Sequence, residues 1–359
     1  MFKSLRAQTL HYFARPHDSL PREPVKSPAA WRGEDLRGRT DWIVTLSEAD
    51  VAEIESALRA SGDRPMQQLA RADFPLPTLG PRIEAWRDEV HRGRGFVLVR
   101  GVPVAKWTVA QSERFFWCFG HWLGTPGAQN PEGDLLGHVR DQKTGQDVRY
   151  YRTNKQLEVH TDTADIVGLL CLQKAKAGGL SRIVSSVAVF NELLKRRPDL
   201  APRLFAPMWF DTKGEGGVRA FALPPCRHSG GELRTFWQSD YYRTVQRFEH
   251  VPRLSPAEQE LLDVYDGIAN SPEFHLDMDL EPGDVQLLSN HTQLHARTAF
   301  EDWPEPARRR HLLRLWISVP QRASLKQRWL RARSGVSLTL AAAAELLKEK
   351  RRGHAAARS

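Results

Sequence analysis

The chain has 359 residues, of which 41% are hydrophobic and 26% charged, so it is long and apolar enough to bury a large core. Its formal net charge is +9, but the residues after position 321 hold ten lysines and arginines against two glutamates, which leaves about +1 for the rest. No apolar stretch is long enough to span a membrane, and Cys118, Cys171 and Cys226 lack metal-ligand spacing and indicate free thiols in a reducing compartment.

Residues 1–30 are predicted to form an irregular arm, because prolines stand at positions 16, 21, 24 and 28. The arm lacks the apolar core of a secretory signal, so the cytoplasm is the predicted location. Its arginines would also suit a mitochondrial presequence if the source were a eukaryote. Residues 31–320 are predicted to be one domain, because no repeat or low-complexity linker divides them.

Helices and strands alternate along this domain. Ser47 is predicted to cap a helix over residues 49–58, and Thr108 a second helix that runs through residues 115–122. Further helices are predicted at 187–195 and, after Ser255, at 256–268. Strands are predicted at 95–100, 167–172, 183–185, 219–223, 285–288 and 312–318, enough for a jelly roll surrounded by helices.

His160 and Asp162 stand between a short β-type segment, 156–159, and the apolar run 166–172. Alternate side chains of a strand share a face, so one strand could aim both groups at a single metal ion. A lone His-x-Asp is also common as a hydrogen-bonded pair near a strand end. The pattern alone therefore leaves both interpretations open.

His295 is predicted to lie just beyond the end of the strand 285–288, which follows a Pro-Gly-Asp turn. His291 lies four residues earlier, the spacing of paired zinc histidines on a helix. No glutamate follows His291 directly, so we expect it behind the site or on the surface. Two histidines and one carboxylate are the protein ligands of open non-haem iron(II) sites.

Arg310 and Arg314 belong to a period-two pattern in which residues 311, 313, 315 and 317 form an apolar face. The two arginines are expected on the opposite face. A guanidinium there could bind the carboxylate of an acidic co-substrate through paired hydrogen bonds. The alternative, a basic run on a solvated strand, is favoured for Arg308 and Arg309.

Together these motifs resemble the Fe(II)/2-oxoglutarate-dependent dioxygenases of the taurine dioxygenase (TauD/TfdA-like) and clavaminate synthase-like group. The resemblance covers roughly residues 90–320, and it includes Gly178-Gly179-Leu180-Ser181 and the segments 290–295 and 309–314. It implies a mainly β fold, with surrounding helices and a double-stranded β-helix (cupin-like jelly-roll) core. The implied cofactors are Fe(II), 2-oxoglutarate and O2.

The resemblance also implies roles for individual residues. The iron ligands would be His160, Asp162 and His295. Arg310 and Ser181 would bind the distal carboxylate of 2-oxoglutarate, with serine in the place of a threonine. Arg314 would reach the co-substrate or an acidic substrate, and Asn154 lies where relatives place polar groups on the substrate side. Retention of Asp162 argues against halogenation.

The predicted enzyme oxidises an unactivated C–H bond of a small acidic or polar substrate and releases succinate and CO2; hydroxylation, desaturation and ring closure all stay open. An oxygenase acting on a protein or nucleic acid is the alternative that the basic tail, 321–359, would favour. A non-catalytic metal-binding β-barrel is a third. The tail itself is expected to be a solvated helix over residues 338–351 that packs Leu346 and Leu347 on the body. We expect a small-molecule partner and no nucleic acid, and the sequence admits a homo-oligomer.

Between residues 196 and 275, cationic and aromatic residues are mixed in a way that suits either a substrate pocket or packing at its rim. Gln238 and Tyr241 belong to this group, as do Trp237 and Tyr242.

Overall fold

The computed structural model describes residues 2–141, 154–213, 218–320 and 325–356. Its helices are α1 (Leu5–Phe13), α2 (Gly33–Leu36), α3 (Glu48–Ala60), α4 (Leu79–Arg92), α5 (Val109–Leu123), α6 (Ser186–Arg196), α7 (Ser239–Thr244), α8 (Pro256–Ala269) and α9 (Leu325–Ala356). Its strands are β1 (Ile43–Thr45), β2 (Phe96–Arg100), β3 (Thr125–Gly127), β4 (Gly137–Val139), β5 (Leu157–His160), β6 (Ile166–Gln173), β7 (Ala177–Gly178), β8 (Ser181–Ser185), β9 (Met208–Asp211), β10 (Ala220–Leu223), β11 (Cys226–Ser229), β12 (Glu232–Thr235), β13 (His275–Met278), β14 (Val285–Ser289), β15 (Gln293–Arg297), β16 (Phe300–Glu301) and β17 (His311–Ser318).

Two sheets form the centre of the molecule. The larger has the order β1-β2-β14-β6-β17-β3, with β4 also paired to β17, and the smaller has the order β13-β8-β15-β5. Apart from the parallel pair of β1 and β2, the strands of both sheets pair antiparallel. Phe96 and Trp316 of the larger sheet share one buried cluster with Ile183 and Leu276 of the smaller sheet. The sheets therefore pack face to face, which confirms the predicted jelly-roll core.

Helices cover the outer face of each sheet. Residues of α3, α4 and α5 form a buried cluster with β2, β6, β14 and β17 of the larger sheet. Residues of α6 and α8 pack with β5, β8 and β15 of the smaller sheet. Both faces of each sheet are thus buried, and β17 shows this directly, since every residue from Leu312 to Ser318 is buried. The apolar face predicted for β17 is correct, but its second face is not solvated.

The helix starts predicted from the sequence are confirmed. Ser47, Thr108 and Ser255 each accept a hydrogen bond from the third residue of the following helix, and that residue's side chain bonds back to the cap. The three capped helices begin within a few residues of their predicted positions.

The N-terminal arm differs from its prediction, because residues 5–13 form α1. The prolines begin only at position 16, so they end this helix without preventing it. Ser4 caps α1, and Gln8 and Tyr12 on its inner face are buried. Tyr12 donates to the carbonyl of Asn290 at 2.8 Å. The arm is therefore part of the packed body.

The C-terminal tail also differs from its prediction. Helix α9 starts at Leu325, well before the predicted start, and it packs on α1. Arg331 of α9 lies 2.8 Å from Nδ1 of His11 and donates to the His11 carbonyl at 3.2 Å. Leu346 lines the main cavity, whereas Leu347 is 59% exposed and does not pack as expected. Within the described ranges, no helix combines the length and apolarity needed to cross a bilayer.

Candidate active site

Three residues from the predicted motifs converge on one point inside the jelly roll. His160 ends β5, and it pairs directly with His295 of β15, so that the two imidazole centroids are 4.2 Å apart. Asp162 follows in the turn after β5, with carboxylate oxygens 4.0 Å from Nε2 of His160 and 3.7 Å from Nε2 of His295. The three candidate ligand atoms all lie within 4.8 Å of one another. This donor set fits an iron(II) ion with open coordination positions.

Two predictions about this geometry were wrong in detail. His160 and Asp162 do not share a strand, because β5 ends at His160 and the chain then turns. Thr161 fixes this turn, since its hydroxyl and backbone both bond to the backbone of Trp237. His295 lies within β15 and not beyond a strand end. The side chains still converge because the strand pairing, and not a shared strand face, brings them together.

Asp162 is held by three groups, two of which contact its carboxylate. The indole N–H of Trp316 donates to its Oδ2 at 2.8 Å, and Arg314 Nη1 is 3.6 Å from the same oxygen. Its backbone N–H donates to the Asn290 side chain at 3.1 Å. Burial raises the pKa of Asp162, but the Arg314 charge, the two neighbouring imidazoles and the Trp316 hydrogen bond outweigh it and lower the pKa overall. The group is therefore an anionic ligand at neutral pH.

The histidines are prepared for metal binding in different ways. His160 directs its Nδ1 to the carbonyl of Glu158 at 2.8 Å, and a proton on Nδ1 leaves the Nε2 lone pair free for a metal. Burial, with His160 beside it, lowers the pKa of His295 to about 3. His295 is thus neutral at physiological pH, as a ligand must be.

The triad opens into a cavity of about 430 Å³ that also receives Ser181, Arg310 and Arg314. Arg310 is 5% exposed, and burial lowers its pKa to about 10, so it stays cationic at neutral pH. Among the described residues, its Nη1 has no hydrogen-bond acceptor. A buried guanidinium nitrogen without an acceptor suits a carboxylate ligand. Ser181 lines the same cavity, and its hydroxyl donates to Gln286 Oε1 at 2.9 Å.

Gly179 makes room for Arg310, and Gly178 makes room for the Ala299 carbonyl. Both glycines have positive φ, at 70° and 73°. A Cβ at Gly178 would meet the Ala299 carbonyl oxygen at 2.2 Å, and one at Gly179 would lie 3.1 Å from Arg310 Nε. Only glycine fits this approach without strain.

The Arg314 side chain lies between Asp162 and Gln129. Its Nε donates to Gln129 Oε1 at 2.8 Å, and the Gln129 amide donates back to the Arg314 carbonyl at 2.8 Å. The alternation predicted for this segment is confirmed, since Arg310, Leu312, Arg314 and Trp316 all line the cavity.

Arg297 is a cavity residue that the sequence reasoning missed. It follows His295 by two positions on β15, so it faces the same side, and it pairs in register with Ser181. Burial, with Arg310 nearby, lowers its pKa to about 9. The guanidinium carbons of Arg297 and Arg310 lie 4.7 and 5.2 Å from the Phe300 ring centroid. The His-x-Arg spacing was the available signal.

Asp165 forms a buried centre of charge behind the triad. It is fully buried and accepts hydrogen bonds from Arg15, from His11 and His291 at 2.7 and 2.8 Å, and from the Val319 backbone at 2.8 Å. His291 therefore lies behind the site, one of the two positions expected for it. No sequence motif pointed to Asp165.

The other candidate residues are divided between the cavity and the rest of the molecule. Asn154 is exposed, its carbonyl accepts the Phe300 N–H at 3.1 Å, and it is not among the described residues that line the cavity. Gln238 and Tyr241 do line it, whereas Trp237 and Tyr242 are core residues.

Comparisons with known proteins agree with this geometry. Residues 62–316 match the family model described as taurine catabolism dioxygenase TauD, TfdA family. The chain is 32% identical over 315 residues to FR-33289 synthase of Streptomyces rubellomurinus, covering 83% of this chain and 91% of that protein. It is 29% identical over 299 residues to taurine hydroxylase-like protein SAT17 of Stachybotrys chartarum, covering 80% and 77%.

Two solved structures share the fold. Asparagine oxygenase, solved with Fe(II), hydroxyasparagine and succinate, has a TM-score of 0.63 at 16% identity, over 77% of this chain and 93% of that chain. The non-haem iron oxygenase OrfP, solved with iron and α-ketoglutaric acid, has a TM-score of 0.58 at 14% identity, over 78% and 94%. The chain belongs to the TauD, TfdA family, which confirms the resemblance of its motifs and makes it a non-haem iron, 2-oxoglutarate-dependent dioxygenase.

Proposed function

We propose that this dioxygenase hydroxylates a C–H bond of a small polar or acidic molecule, with iron bound by His160, Asp162 and His295. One observation carries the proposal: the triad shares a cavity with the buried Arg310, whose Nη1 has no acceptor among the described residues. Taurine hydroxylase-like protein and asparagine oxygenase are named for small molecules, which supports a substrate of that size.

Iron, 2-oxoglutarate and dioxygen would together supply the oxidising power, and succinate and CO2 would be released. The residues of the chain bind and orient. Arg310 and Ser181 would hold the distal carboxylate of 2-oxoglutarate, and Trp316 fixes the rotation of the Asp162 carboxylate. Arg314, 3.6 Å from Asp162, is placed to meet an acidic group of the substrate or co-substrate. Asn154 is exposed and does not line the cavity, so it is proposed only as a substrate contact at the edge of the site.

The test is an anaerobic titration of the Fe(II)-loaded protein with 2-oxoglutarate, followed by the weak visible charge-transfer band of the chelate. Arg310→Ala should weaken 2-oxoglutarate about tenfold or more, since a hydrogen bond to a charged group contributes about 1.5–3 kcal/mol. Arg309→Ala is the matched control, because the Arg309 guanidinium bonds to the carbonyls of Trp303 and Pro304.

Two results would contradict the proposal. One is the absence of the band in iron-loaded wild-type protein. The other is an equal affinity for 2-oxoglutarate in wild type and Arg310→Ala, which would remove Arg310 from this role.

The same proposal names a small molecule, and no nucleic acid, as the partner. The basic surplus that favoured a macromolecular substrate lies on α9, and one face of α9 lines the cavity. The tail thus has a position in the site that requires no macromolecule. A cytoplasmic location is part of the proposal and is supported by the buried free thiols of Cys118, Cys171 and Cys226.

A further inference from the structure

One wall of the active-site cavity is apolar and comes from segments far apart in the sequence. Aromatic residues of this wall pack on one another, with Phe13 and Phe210 at 4.9 and 5.4 Å from Phe236 between ring centroids. Helix α9 adds Leu338, Ala342 and Leu346. We call these six residues the apolar wall.

The α9 part of the apolar wall is a regular helix face. Leu338, Ala342 and Leu346 are spaced by four residues, so they lie above one another on one side of the helix. The helix is held in place by the contacts of Arg331 with His11 of α1. Both α1 and α9 lie outside residues 62–316, the part that matches the family model. The α1 and α9 parts of the apolar wall therefore lie outside the matched range, whereas Phe210 and Phe236 lie within it.

The cationic and apolar sides of the cavity come from different elements. Arg297 belongs to β15 and Arg314 to β17, and Arg310 directly precedes β17. A charged or strongly polar substrate group against the apolar wall would lose hydration without gaining a partner. An aliphatic or aromatic group there would gain about fourfold in affinity for each buried methylene.

We propose that the substrate is an amphipathic acid whose apolar portion lies on the apolar wall, where the small side chain of Ala342 leaves room for it. This inference rests on the proposed function for the position of the acidic group. It refines the expected substrate, which was small and acidic or polar, by adding an apolar portion.

The test measures binding of ethane-, butane-, hexane- and octanesulfonate by anaerobic calorimetry, with the protein both metal-free and loaded with Fe(II) and 2-oxoglutarate. Affinity should rise about fourfold per added methylene until the wall is filled. Ala342→Leu should weaken octanesulfonate about tenfold, through the loss of room for one to two methylenes, and leave ethanesulfonate unchanged. Ala341→Leu is the matched control, because Ala341 is exposed and does not line the cavity.

An affinity that does not depend on chain length in the wild-type protein overturns the inference, and this result needs no variant to fold. An equal loss of octanesulfonate affinity in Ala341→Leu and Ala342→Leu also overturns it, since the effect would then belong to the helix as a whole. A normal chelate band with no chain-length dependence rejects the apolar portion alone. A missing band with chain-length dependence in the metal-free protein rejects the proposed function but retains the wall.

Discussion

Replacement of Trp316 by phenylalanine isolates one hydrogen bond behind the metal site. Trp316→Phe keeps an aromatic ring but removes the N–H that donates to Asp162 Oδ2 at 2.8 Å. Trp316 is 4% and Asp162 7% exposed, so the hydrogen bond is buried. A hydrogen bond to a buried charge contributes about 1.5–3 kcal/mol, and partners of metal ligands typically change metal affinity about 10- to 100-fold. We expect a loss of metal affinity in that range.

The assay is anaerobic titration with Co(II), a spectroscopic substitute for Fe(II), followed by its visible absorption. Trp329→Phe is the control, because Trp329 lies on α9 and is 59% exposed. Thermal unfolding of the metal-free proteins measures separately any loss of packing. A Co(II) affinity of Trp316→Phe equal to that of wild type would refute the reasoning, since Asp162 would then not depend on this bond or would not bind the metal.

Three further predictions concern stability. Asp165→Leu removes the common acceptor of several buried donors and leaves the Arg15 charge without its carboxylate, so it should lower the free energy of unfolding by about 3–5 kcal/mol in urea titrations; an unchanged midpoint would contradict this. Gly178→Ala should be destabilising by about 1–3 kcal/mol, because Gly178 has a φ of 70° and the added Cβ would lie 2.2 Å from the Ala299 carbonyl oxygen. Gly267→Ala is the control in the same assay. It should be stabilising by about 0.5–1 kcal/mol, because Gly267 lies in α8 with open space around it. In the metal-free protein, burial lowers the pKa of His295 from 6.5 to about 3, so the unfolded state binds the extra proton and stability is lost as the pH falls from 6.5 towards 3. His295→Gln should flatten this pH dependence by up to about 1.4 kcal/mol per pH unit. Equal slopes in wild type and His295→Gln would show that the pH dependence does not come from His295.

Local signals in the sequence predicted much of the fold. Ser47, Thr108 and Ser255 marked helix starts correctly, because a cap needs only the residues of one turn. The alternation around Arg310 and Arg314 placed both on the cavity side of β17. Such features depend on near neighbours, so a single sequence contains them.

The errors concern contacts between distant segments. The pairing of His160 with His295, and not one shared strand, forms the metal site, and no local pattern contains that register. The inner face of α1 could not be predicted locally, because it is defined by contacts with distant residues. The Asn290 carbonyl, for example, accepts a hydrogen bond from the Tyr12 hydroxyl. The length of α9 and its position on the cavity likewise depend on its packing against α1.

Asp165 gives the site a dependence on nearly the whole chain. Asp165 lies three positions after Asp162. Its hydrogen-bond donors range from His11, near the start of the sequence, to Val319, near its end. During synthesis on the ribosome, this acid meets all of these donors only once Val319 has emerged. The segment just after Asp162 therefore obtains its full set of hydrogen bonds only near the end of synthesis.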